Sequence, residues 1–121
     1  MGIRLIKISA VYLLIGLALG MFMSITKDFK LSSLHTHILV LGWALFAVIG
    51  IIHQLFPKAS ETVLAKGYFW LHNIGLPIMI VGLFVVLGGN SALEPVVAVG
   101  ASLTTIGLIL FIINVFRSIR N

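Results

Sequence analysis

Four apolar runs, at about residues 8–24, 34–56, 68–88 and 94–116, follow one another with only short polar breaks between them. A helix needs roughly 20 apolar residues to cross ~30 Å of hydrocarbon, and each run is close to that length. In lipid every backbone N–H and C=O must be satisfied within the protein, so the runs are expected as helices and the fold class as all-α. Only 9% of the residues are charged and 60% are hydrophobic, which sets the chain apart from water-soluble domains. The expectation is a single transmembrane domain over residues 1–121, an integral membrane four-helix bundle. The first run is long for a cleavable signal peptide, lacks a small-residue cleavage pattern and precedes three equally apolar runs, so it is read as a span.

A net charge of +5 raises the question of nucleic acid, but the basic residues are scattered over loops and ends and report topology instead. With four crossings, Arg4, Lys7, Lys58, Lys66, Arg117 and Arg120 share one side, and only Lys27 and Lys30 lie on the other. Positive charge accumulates on the cytoplasmic side, so a multi-pass protein of the inner (plasma) membrane with both termini cytoplasmic is expected, its partner the lipid bilayer and no nucleic acid. The chain has no cysteine, which excludes disulfides, thiolate metal sites and covalent c-type haem attachment.

Asp28, Ser32 and Ser33 offer capping groups before the second run, and Pro57 marks its end. Gly88, Gly89, Asn90 and Ser91 read as a turn, with Pro95 in the first turn of the fourth helix. Pro77 lies inside the third run, where it frees a carbonyl around Asn73 and is expected to bend the helix. Tyr68 and Trp70 read as interfacial anchors. Gly16 and Gly20 form a G-x-x-x-G pair, and Gly42, Gly50, Gly75, Gly82, Gly100 and Gly107 recur through the other runs. Small residues of this kind let helices approach, or make room for a flat cofactor between them.

The four histidines carry the chemistry. His35 and His37 open the second run; an α-helix turns ~100° per residue, so they point about 200° apart and face different neighbours rather than one metal. His35 and His53, eighteen residues apart, are expected on one face but about 27 Å apart along the axis. For the outer pair, interfacial solvation competes with axial ligation of haem iron by neutral imidazole. Solvation at the inner interface is the simpler account of His53, beside Gln54. His72, next to Asn73, divides between a structural hydrogen bond and a site; since it lies at a similar depth to His53, a small copper or zinc site shared by the two is open. The only carboxylates, Asp28, Glu61 and Glu94, lie in loops or at helix ends, so no intramembrane acid relays protons or binds a coupling ion. No nucleophile–base set, phosphate loop or zincin pattern is present. A histidine-based copper or zinc transport protein and a non-catalytic assembly subunit stand as the alternatives to haem.

The run "LHTHILVLGWALFAVIGIIHQLFP", with "YFWLHNIGLPIMIVGL" after it, resembles the histidine-bearing helices of haem–copper oxidase and nitric oxide reductase catalytic subunits, the cbb3-type branch in particular, over roughly residues 33–88. The H-x-H followed by the Gly42–Trp43 pair carries the likeness. The resemblance implies that this chain is one third of a twelve-helix ring built from three arcs of four, which a homotrimer would rebuild; a dimer uses the same residues. It implies haem b clamped between subunits by His35 of one chain and His37 of its neighbour, with Gly42 and Trp43 in the cofactor's surroundings and Lys27 and Lys30 in place of the family's propionate-holding arginines. The family's oxygen-reducing members add copper or non-haem iron ligands that are missing here unless His53 and His72 supply them. With both axial positions filled, electron transfer to a redox partner, haem storage or redox sensing is expected ahead of oxygen or nitric oxide reduction.

Overall fold

The computed structural model describes residues 1–120 and is helical nearly throughout. Four helices are long and apolar enough to cross a membrane: α1 (Gly2–Thr26), α2 (Ser32–Leu55), α3 (Val63–Leu87) and α4 (Glu94–Ser118). Both α1 and α3 begin well before their apolar runs, taking in Arg4, Lys7 and Lys66, because backbone hydrogen bonding continues past the point where hydropathy stops. Outward-facing side chains such as Leu14, Ile25, Val63 and Phe116 are exposed and apolar, as a lipid-facing surface requires.

The breaks are built as the residues dictate, with one exception. Pro57 starts a single helical turn, Pro57–Ser60, that closes α2, and Thr62 caps α3 by accepting from the Ala65 N–H at 3.1 Å. Gly89, at φ 114°, takes the left-handed turn between α3 and α4. No side chain caps α2: Asp28 instead accepts from the Lys30 N–H at 3.2 Å and shapes the preceding loop, and Leu31 holds the N-cap position. Pro77 leaves α3 continuous from Val63 to Leu87.

Two antiparallel hairpins result, each closed by glycines. In α1–α2 a Cβ on Gly2 would sit 2.6 Å from the Gly50 carbonyl oxygen, and one on Gly42 would strike the Tyr12 ring at 2.5 Å. In α3–α4 a Cβ on Gly75 would lie 2.8 Å from the Thr104 nitrogen, and one on Gly100 would run into the Met79 backbone. These glycines therefore buy backbone approach, since lipid offers helices no hydrophobic incentive to associate. A polar knot at the end of the molecule carrying the termini adds to this: Thr62 Oγ1 donates to Asn114 Oδ1 at 2.9 Å, and Asn114 Nδ2 donates to the Ala59 carbonyl at 2.9 Å.

The helix α2 is not α-helical throughout. Ser32–His37 is α, Ile38–Ala44 is a π-helix, and Leu45–Leu55 is α again. In the π segment donors reach back five residues, as the Leu45 N–H does to the Val40 carbonyl. The consequence overturns the expected alignment of His35 with His53. A π segment carries one residue more than the α register allows, turning the two halves of α2 by ~100° relative to each other. His35 accordingly faces α1, whereas His53 faces Tyr68 and Phe111.

Candidate functional site

The hairpins meet on an aromatic column. Phe46 of α2 stacks on His72 of α3, ring centroids 3.8 Å apart, and Tyr12 stacks on Phe46 at 5.6 Å. Tyr68 Oη lies 2.7 Å from His72 Nδ1, and His72 Nε2 lies 3.0 Å from the Leu41 carbonyl oxygen. A carbonyl can only accept, so Nε2 carries the proton, and Nδ1 accepts from the phenol. Both imidazole nitrogens are thus engaged, and His72 has no lone pair to give a metal. This is the structural hydrogen bond of the two readings the sequence left open for it.

Tyr68 is fully buried at 0% exposure, not at the interface; Trp70, 62% exposed, is the residue placed as an anchor would be. The error has a physical source: on α3 these residues lie two apart and face opposite sides, and the helix end extends past Tyr68 to Val63. His53 is buried too, not solvated. Its Nδ1–H donates to the Ile49 carbonyl at 2.9 Å, and its ring stacks on Tyr68 at 6.0 Å. Tyr68 therefore touches both His53 and His72. Among the described residues no group of three His, Asp or Glu gathers as a metal site.

At the opposite end, the outer pair is arranged differently. His35 lies half-buried against α1, its Nδ1–H donating to the Gly16 carbonyl at 2.9 Å. Gly20 makes that approach feasible, because a Cβ there would lie 2.8 Å from the imidazole Cε1. The G-x-x-x-G pair is thus a cradle for an imidazole: Gly16 supplies the acceptor and Gly20 the space. His37 is also half-buried and donates its Nδ1–H to the Ser33 carbonyl one turn back, at 2.7 Å. Neither Nε2 has a hydrogen-bond partner among the described residues, and neither is sealed from the surroundings. The pair leaves the helix toward different surfaces, one against α1 and one back along α2.

The remaining predicted residues divide. Gly42 is filled by the Tyr12 ring and belongs to hairpin packing, while Trp43, beside it, is 37% exposed on the outer surface of α2. Lys27 ends α1 in the left-handed conformation at φ 56°, and Lys30 lies 4.0 Å from the Asp28 carboxylate, both side chains exposed. Both lysines belong to the loop that precedes the outer pair. The sequence reading missed Tyr68 and Leu41. The i, i+4 spacing of Tyr68 and His72 was the available signal for the first; nothing local marks a carbonyl.

Residues 3–118 match the model of a family described as "Protein of unknown function (DUF2871)". No curated protein and no solved structure matches the chain.

Proposed function

The chain belongs to this DUF2871 family, whose description assigns no activity, and we propose that it is a membrane haem b protein whose iron is held between neighbouring subunits, by His35 of one chain and His37 of the next. One observation carries the reading. Both outer imidazoles have Nδ1–H fixed on a backbone carbonyl and Nε2 left with its lone pair, the way metal-ligating histidines are held and oriented. Since the two rings leave α2 in different directions, no single porphyrin is clamped within one chain. A symmetric oligomer supplies the second ligand.

Three copies would rebuild a twelve-helix ring; two would serve the same pair. The charge bias supports an orientation with the termini in the cytoplasm and His35 and His37 toward the other face, in the inner membrane we propose for the assembly. Haem held there by His35 and His37 would supply a one-electron couple. The chain's own residues would then have distinct parts: Gly16 and Gly20 aim His35, Ser33 aims His37, the apolar surface around Trp43 keeps water out, and Lys27 and Lys30 offer cations to propionates. Electron transfer or haem and redox sensing fits such a site, and reduction of oxygen or nitric oxide does not.

The test uses chains co-expressed under two tags in cells supplied with ample haem. Wild type should purify coloured, with the sharp reduced bands of a bis-imidazole haem, and H35A or H37A alone should be colourless. Complexes containing one H35A and one H37A chain keep one intact pair across a subunit boundary, so colour should return. A colourless wild type, with or without bound zinc or copper, overturns the proposal, as does a mixed complex no better than either single variant.

A further inference from the structure

The π segment of α2 leaves one carbonyl without a helical partner. Up to Leu45, donors reach back five residues, ending on the Val40 carbonyl. From Leu45 the helix is α again, and in that register the next donor, Phe46, counts four back to Gly42. Leu41 falls between the two registers. Its carbonyl is partly buried, in a span where a bilayer offers no water, which makes an orphan there costly. It is this carbonyl that His72 Nε2–H reaches from α3, at 3.0 Å, while Tyr68 fixes the tautomer from the other side of the ring at 2.7 Å and Phe46 stacks on its face at 3.8 Å.

We infer that His72 is a positioning residue for the outer histidine pair: by filling the carbonyl skipped at the end of the π segment, it holds an extra residue in α2 and so fixes the direction in which His35 and His37 leave the helix. Without that bond the segment gains by relaxing toward α pairing, and the outer turns rotate by up to ~100° for the one residue involved. His35 would then leave the Gly16–Gly20 cradle. The haem consequence rests on the function proposed above; the register claim does not.

The variant Y68F/H72F keeps volume and stacking, orphans no phenol and removes only the donor to Leu41. Helix content, read by circular dichroism in detergent, is the control. Two readouts follow. In ¹⁵N-histidine NMR spectra the hydrogen-bonded Nδ1–H form of His35 should be present in wild type and in Y68F, and lost in Y68F/H72F. Haem retention should fall about tenfold or more in the double variant, the usual cost of losing a group that orients a ligand. H72Q, whose amide N–H can donate to Leu41 while its oxygen accepts from Tyr68, should rescue both readouts.

Deleting Val40 from Y68F/H72F should also rescue them, since a helix without the extra residue reaches the same outer face by α pairing alone. A general loss of stability would not be repaired in that way. Wild-type behaviour of His35 in Y68F/H72F, or failure of the deletion to restore it, overturns the inference. A wild type that binds no haem sinks the proposed function and leaves the NMR arm to decide this one.

Discussion

At one end of α2, two imidazoles each give one nitrogen to a carbonyl and keep the other; between the hairpins, His72 gives both. The residue type and the bilayer are the same. The difference lies in what the neighbours offer. Around His72 stand a phenol on its own helix and a skipped carbonyl on the next, so a neutral ring is satisfied at both ends and joins two hairpins. Around His35 the Gly16 carbonyl is in reach, and around His37 the Ser33 carbonyl and hydroxyl, all at Nδ1, so each ring is anchored and its Nε2 is still unsaturated. A membrane histidine is thus read as structural or as available by its second nitrogen; depth does not decide the matter, since His53 is as buried as His72 and yet engages only Nδ1 among the described residues.

If this division holds, unfolding in mixed detergent micelles should rank the two regions. The largest loss is expected for H72A, which orphans the Tyr68 hydroxyl and the Leu41 carbonyl and leaves a cavity beside Phe46: about 3 kcal/mol. G20A comes next at about 1–2 kcal/mol, because the new methyl meets the His35 ring and the side chain must swing out; the same variant should weaken haem retention. Y68F removes one donor to His72 and should cost about 1 kcal/mol. H37A, which loses hydrogen bonds to Ser33 of its own helix alone, should stay within about 0.5 kcal/mol while abolishing haem binding. A loss for H37A as large as that for H72A would erase the distinction between the two regions.

Much of the architecture was legible along the chain. Hydropathy located four spans, Pro57 and Pro95 their punctuation, and the recurrent glycines the helices that approach most closely. Those are properties of segments, since burial in lipid and helical hydrogen bonding are settled within some twenty residues. His35 and His37 were singled out by spacing for the same reason, because the angle between residues two apart on a helix needs no tertiary information. Tyr68 was placed wrongly because an aromatic near the end of an apolar run has the same local signature whether it faces headgroups or a histidine.

What packing alone decided is the register of α2. A π segment is unfavourable by itself, and here the carbonyl it strands is matched by a donor 31 residues further on, so its presence depends on α3 lying alongside. From that bond follows the loss of a common face for His35 and His53, and from the closeness of α1 at Gly16 and Gly20 follows the tautomer that frees His35 Nε2. The sequence by itself determined how many helices are long and apolar enough to cross a membrane and which end of the second holds the pair. The tertiary structure decided where each imidazole points and which nitrogen it keeps, because those depend on hydrogen-bond partners that only become neighbours once the hairpins close.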